Sequence, residues 1–203
     1  MDKAQVEELL YQSLETELGG VQIYQTAIRC AVNDGLREEW EKYLEETENH
    51  VRIVTQVFAE LGLDPDLETP GRAIVRFKGQ SLVQSIEMAM TDAKPAAAQL
   101  VAAEAVVEAE TKDHANWELM GKVAEKASGK LASVLKDAYE QVEEEEDQHL
   151  YHTMGWAREL WIEFLGMPAV LPPPEEQKMV TTAIGAARAE QARDDMVGTK
   201  PRK

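Results

Sequence analysis

The chain has 203 residues, a formal net charge of −17, 44% hydrophobic residues and 29% charged residues. These figures describe a globular domain able to bury a core and exclude a disordered chain. The acidic balance argues against a nucleic-acid surface, since phosphate binding needs clustered Lys and Arg, and it suits the attraction of cations. No apolar run reaches bilayer length, and the N-terminal MDKAQVEELL is acidic and amphipathic rather than signal-like. A single cysteine, Cys30, cannot build a disulfide framework and fits a reducing cytosol. The expectation is a cytoplasmic protein with no membrane or nucleic-acid partner.

Val6, Leu9, Leu10, Leu14, Leu18, Val21, Tyr24 and Ile28 recur at helical spacing and predict a helix from Val6 to about Val32. Asn33-Asp34-Gly35 supplies a turn, and a second helix follows from Leu36 to Leu61, ended by Gly62 and Pro65. The stretch 64–79 holds Pro65, Pro70, Gly71 and Gly79 and reads as irregular, with a short helix from Ser81 to Ala93. Pro95 opens a third long helix running to about Ala127. Ser128-Gly129 turns into a fourth, from Lys130 to Leu165, which Gly166, Pro168 and Pro172-Pro173-Pro174 terminate. Glu175 to Met196 predicts one further helix with a weak apolar face. GTKPRK reads as a disordered basic end. The fold class is all-α: two helical hairpins joined by a long crossover form a domain over 1–166, followed by a tail over 167–203.

Three helical segments repeat a carboxylate-plus-histidine pattern: EETENH at Glu45–His50, EAETKDH at Glu108–His114 and EEEEDQH at Glu143–His149. In each a Glu precedes a His by four residues (Glu46/His50, Glu110/His114, Glu145/His149), so both share one helix face. Carboxylate with imidazole suits iron, manganese or zinc. Register brings the segments together, because residues equidistant from a hairpin turn lie side by side. Glu17 falls level with His50, and Glu108 and Glu110 fall level with Glu146 and His149. Tyr24 follows Glu17 by seven residues and Trp117 follows Glu110 by seven, which favours Glu110 over Glu108. His152, one turn after His149, reads either as a partner orienting a ligand or as a neighbour.

The segments ETELGGVQIYQTAIRC and EETENHVRIVTQVFAELGLDPD, with EEEEDQHLYHTMGWARELW, resemble the metal-binding helices of ferritin-like di-iron proteins such as bacterioferritin and rubrerythrin. The resemblance covers roughly Val6 to Gly166 and implies one Glu from each of two helices and an ExxH motif from each of the other two. It gives Glu17 the role of first-helix ligand and Tyr24 that of the aromatic that often lies beside the metal, the candidate catalytic residue, with core packing as the alternative reading of Tyr24 and Trp117. His50 becomes the second-helix ligand, Glu110 the third-helix Glu, and Glu146 with His149 the complete ExxH. The sequence departs from the pattern at Thr47, where the second ExxH needs a carboxylate. Glu46 and His114 are the candidates to compensate. A single metal, a rearranged pair and an emptied site are the states this departure leaves open.

The expected cofactor is one or two iron ions, with Mn or Zn as alternatives, and the expected reactants are O2 or peroxide. No CxxC pair supplies an electron-entry module, so electrons would come from an external donor. A homo-oligomer, dimer or larger, is expected. The function expected is an iron-dependent oxidoreductase or iron-handling protein of peroxidase or ferroxidase type. The alternatives are a metal-binding bundle without turnover and a structural bundle whose site is lost.

Overall fold

The computed structural model describes residues 1–197, except the side chain of Asp194. The basic end predicted to be disordered lies outside the described residues. Helix α1 (Lys3–Cys30) begins where the Asp2 carboxylate accepts a hydrogen bond from the Ala4 amide. Helix α2 (Asp34–Leu61) begins at Asn33, which accepts from the Leu36 amide, and stops at Gly62. The φ of 70° at Gly62 lies in the left-handed region that glycine enters without steric cost.

The crossover differs from its sequence reading. In place of irregular chain over 64–79 and a short helix after it, one helix, α3, runs over Pro70–Asp92. Pro70 stands in the first turn, where its missing N–H costs nothing, and Thr69 caps the helix by accepting from the Arg72 amide. Gly79 is an approach surface rather than a breaker. A Cβ built there would lie 3.7 Å from the Cα of Gly19 on α1, so the two backbones pass closely. A Cβ on Gly71 would run into the Glu8 carboxylate. Composition alone does not separate glycines that end helices from glycines that let helices touch.

Helices α4 (Pro95–Lys126) and α5 (Gly129–Phe164) follow within one residue of the predicted boundaries. The single C-terminal helix expected over 175–196 is two pieces, α6 (Pro174–Gln177) and α7 (Ala183–Met196). The chain turns at Met179, with φ 48°, and Thr182 caps the new helix by accepting from the Gly185 amide. Among the described residues there is no strand, and no helix is long and apolar enough to cross a membrane.

Helix α1 packs on α2 and α4, and α5 packs on α4 and α2, which closes four long helices into a bundle. Helix α3 lies against α1 and α4. Along every bundle helix the interior has the same three layers. One apolar layer contains Leu10, Leu14, Val54, Phe58, Trp117, Met120, Leu135 and Val142. The other contains Ile23, Tyr24, Trp40, Tyr43, Ala102, Val106, Trp156 and Leu160. Between them, at positions 17 on α1, 47–50 on α2, 110–113 on α4 and 146–149 on α5, lies a buried polar layer. Each large apolar side chain sealed in the two outer layers contributes about 1.5–3 kcal/mol, which offsets the cost of burying the polar one.

The crossover is pinned by charge. The buried Glu15 carboxylate accepts from Arg72 Nε at 2.7 Å and from Arg76 Nε at 2.7 Å, and Arg76 also bonds Glu68. Glu15→Ala leaves the buried Arg72 guanidinium without its carboxylate while Arg76 regains water. The expected loss is about 3 kcal/mol, the low end for breaking a buried pair. Urea unfolding checks it as a lower midpoint at unchanged slope.

Candidate metal centre

The polar layer brings together Glu17 from α1, His50 from α2, Glu110 and Asp113 from α4, and Glu146 and His149 from α5. His50, Glu146 and His149 each offer a ligand atom within 4.8 Å of the others, and so do Glu17, Asp113 and Glu146. Glu146 belongs to both groups. Its Oε1 stands 3.0 Å from His50 Nδ1 and 3.7 Å from His149 Nδ1. Glu110 Oε2 stands 3.5 Å from His149 Nδ1, and Glu17 Oε1 3.8 Å from His50 Nδ1. The two imidazoles stack with centroids 5.6 Å apart.

The orientation of the histidines is informative. Both turn Nδ1 into the cluster and Nε2 outward. His50 Nε2 meets Glu145 Oε2 at 2.8 Å, and His149 Nε2 meets Glu46 Oε2 at 2.9 Å. A carboxylate on the outer nitrogen fixes the tautomer that leaves Nδ1 free to ligate, the arrangement common around bound metals. The partners cross between helices: Glu46 of α2 serves His149 of α5, and Glu145 of α5 serves His50 of α2. The spacing of four that pairs Glu46 with His50 and Glu145 with His149 is therefore not how these groups meet. Each ring points across the α2–α5 contact and reaches the carboxylate on the opposite helix.

Glu46, expected as a ligand, thus sits on the outer nitrogen of His149. His114, the other candidate to compensate for Thr47, lies apart on the outer face of α4 and α5, where its Nε2 meets Asp147 Oδ1 at 2.9 Å. Thr47 is buried, and its hydroxyl donates to the Tyr43 carbonyl at 2.8 Å. Tyr24 is buried with its ring centroid 6.3 Å from that of His149 and its hydroxyl without a partner.

Sequence reasoning missed Asp113. It stands three residues after Glu110, so the two share a helix face, and the signal was that carboxylate pair; attention to imidazole drew the reading to His114 beside it. It also missed Tyr43, whose ring lies over His149 with centroids 4.1 Å apart and whose hydroxyl meets His152 Nδ1 at 2.9 Å. His152 Nδ1 also lies 3.2 Å from Glu39 Oε1. Trp117 does more than pack, since its Nε1–H donates to Glu17 Oε1 at 2.7 Å.

Burial pushes the Glu17 and Asp113 carboxyls well above the carboxylate range, and neighbouring carboxylates push them further. Burial opposes charge on His149, but Glu110 and Glu46 outweigh it and hold its pKa up at about 10. Against the same burial, Glu145 and Glu146 raise His50. Burial, then the charge of Glu110, pushes the Tyr24 hydroxyl well up.

Eight buried side-chain polar atoms among the described residues lack a hydrogen-bond partner, and six belong to this cluster: Glu17 Oε2, His50 Nδ1, Glu110 Oε2, Asp113 Oδ1, Glu146 Oε2 and His149 Nδ1. An orphaned buried polar atom costs about 1–3 kcal/mol, so one partner shared by all six would relieve the largest local cost in the layer. His50 Nδ1 is near Glu146 but out of line for a hydrogen bond. Two imidazole nitrogens and several carboxylate oxygens, all converging, fit iron, manganese or zinc. The chain is thus a helical bundle with a buried carboxylate–histidine cluster able to bind metal. No protein-family model, no curated protein and no solved structure matches the chain.

Proposed function

We propose that the chain is a ferritin-like metal protein whose centre, between the two hairpins, holds iron that reacts with O2 or peroxide. The observation that carries this reading is the set of six orphaned donor atoms, drawn from all four bundle helices and sealed between two apolar layers. Two hairpins, α1–α2 and α4–α5, joined by the long crossover α3, also suit that class. Iron held here would supply one-electron redox chemistry toward O2 or peroxide, with electrons drawn from an external donor.

The chain's own residues have defined tasks. His50 and His149 would hold the metal through Nδ1, since Glu145 and Glu46 face Nε2 and favour the tautomer with the proton there. Glu110 and Glu146 would supply carboxylate oxygens of the kind that suit a hard ferric ion. Trp117 fixes Glu17 through one oxygen and leaves the other turned inward. The apolar layers exclude bulk water. The Tyr24 hydroxyl retains its proton at neutral pH, because burial and Glu110 oppose its loss.

Thr47 favours a second reading, a metal-binding bundle without turnover, because α2 contributes no carboxylate to the layer. Anaerobic loading with ferrous iron followed by exposure to air separates the two. Ferrous loss at least tenfold faster than in protein-free buffer, abolished in His149→Ala, is the expected result. Uptake without faster oxidation would leave only the binding role, and no uptake would overturn the metal reading.

A further inference from the structure

Helix α3 does more than connect the two hairpins. Where it lies against α1 and α4 it leaves a groove of about 610 Å³, lined by none of the residues of the polar layer. We propose that this groove binds an amphipathic monocarboxylate, an alkyl chain ending in one carboxylate. The chain lies among the three helices, and the head meets Lys112 and Lys78.

The greater part of the lining is apolar: Ile23 from α1, Val75, Phe77 and Leu82 from α3, and Val107 and Ala109 from α4. The volume falls within the roughly 300–1,000 Å³ of small-molecule sites, which combine such walls with a few placed polar groups. Gly19 and Gly79 put no side chain into the groove where α1 and α3 meet backbone to backbone. Phe77 is 70% exposed, an aromatic surface left in water that an alkyl chain in the groove would cover.

The charges of the groove select the head. Lys112 is part-buried, and its ammonium donates to Asn116 Oδ1. Asn116 is itself fully buried and donates to Thr16 Oγ1 at 2.9 Å, so the ammonium is held in place rather than swinging in solvent. One of its three donors is thereby used, and no carboxylate pairs with it among the described residues. Lys78 on α3 is exposed and also makes no ion pair among the described residues. The two ammonium groups lie close enough to repel each other, and an anion shared by them relieves that repulsion. Two carboxylates line the groove as well, but Glu15 is already held by Arg72 and Arg76, and Glu108 is exposed to screening water. On a chain of net charge −17 this local balance is complementary to an anion. A neutral chain would use only the walls, and a bare anion only the ammonium groups.

The test is calorimetric titration of the full chain with dodecanoate below its micelle-forming concentration, at about 0.15 M salt so that distant surface charges are screened. Dodecanol and dodecyltrimethylammonium carry the same tail with no charge and with the opposite charge. One dodecanoate per chain is expected, bound at least tenfold more tightly than either. Lys112→Met keeps the alkyl stem, loses the charge and should weaken dodecanoate at least fivefold, with dodecanol unchanged; Lys112→Arg should restore the affinity. Ala109→Phe fills the groove from α4 and should abolish binding of both probes, with circular dichroism establishing that each variant is folded. Equal affinity for dodecanoate and dodecanol overturns the head site. Dodecanoate binding that survives Ala109→Phe overturns the groove, and no binding by wild type overturns the proposal outright. Co-sedimentation with phosphatidylglycerol vesicles, lost in Ala109→Phe, would make this face a membrane-docking surface instead. A dimer in sedimentation velocity that dissociates in Ala109→Phe would seat a second copy of the chain there, and that too overturns the small-molecule site.

Discussion

Manganese added to the metal-free chain raises its melting temperature by about 5–10 °C, and His149→Ala abolishes that rise. The size follows from linkage. A ligand held only by the folded state at a hundred times its dissociation constant adds about 2.7 kcal/mol, and a domain of this length gains about 2–4 °C per kcal/mol. His149 is the informative position because its Nδ1 faces Glu110 and Glu146 while Glu46 fixes its other nitrogen. Site variants without metal move the other way. Asp113→Asn and Glu17→Gln each remove the cost of keeping a buried carboxyl protonated at neutral pH, and each is expected to raise the metal-free melting temperature by an amount worth about 1 kcal/mol. Stabilised without metal and less responsive to it is the signature of a site built for a cation rather than for the fold.

The pH dependence has a definite sign. Glu17 and Asp113 lie above their ordinary values of 4.5 and 3.8, and His149 rises from 6.5 to about 10, so the folded metal-free chain binds more protons than the unfolded one. Through these groups, stability of the metal-free protein falls as pH rises above neutrality, where the carboxyls with lowered pKa, such as Glu15 and Glu39, are already ionised in both states. The histidine contribution is complete below 6.5 and is lost towards about 10. Metal must displace these protons, so its binding strengthens over the same range. The Mn2+-induced rise in melting temperature should be larger at pH 8 than at pH 6.5. A rise that shrinks with pH would mean that other groups hold the ion.

What could be read from sequence was whatever depends on register. Antiparallel helices advance equally per residue, so counting from the turns placed Glu17 beside His50 and Glu110 beside Glu146 and His149, and these residues do share one layer. What could not be read was whatever depends on rotation and reach. Glu46 and His50 share a face of α2, yet the ring crosses to Glu145 and the carboxylate crosses to His149. His114 follows the recurring pattern and lies outside the layer, while its neighbour Asp113, 100° away around the helix, points in. In α3, Gly79 was indistinguishable by composition from a helix breaker until Gly19 appeared opposite it.

Glu159→Ala is expected to release the C-terminal segment and leave the bundle and its metal centre intact. Glu159 is fully buried on α5, and three donors converge on it: the Val170 amide at 2.8 Å, Arg193 Nε at 2.7 Å and Arg158 Nε at 3.1 Å. Arg158 also grips Glu175 through both terminal nitrogens, at 2.7 and 2.9 Å, so one cation links the start of the tail to the bundle. Removing the carboxylate strands a buried amide and takes one partner from each of two part-buried guanidinium groups, a loss of about 3 kcal/mol. That loss is local, because α6 and α7 reach the bundle through α5, whereas the four long helices hold one another through both apolar layers. The segment should open as a unit well before global unfolding. Hydrogen exchange over residues 168–196 should rise by at least a hundredfold, while exchange in α1 and α4 and the uptake of Mn2+ stay at wild-type levels. Glu159→Gln still accepts from the Val170 amide and should show a smaller rise. Uniform acceleration through α1 and α4 would mean instead that the tail is integral to the bundle's stability, and unchanged exchange over 168–196 would mean that Glu159 does not hold the tail.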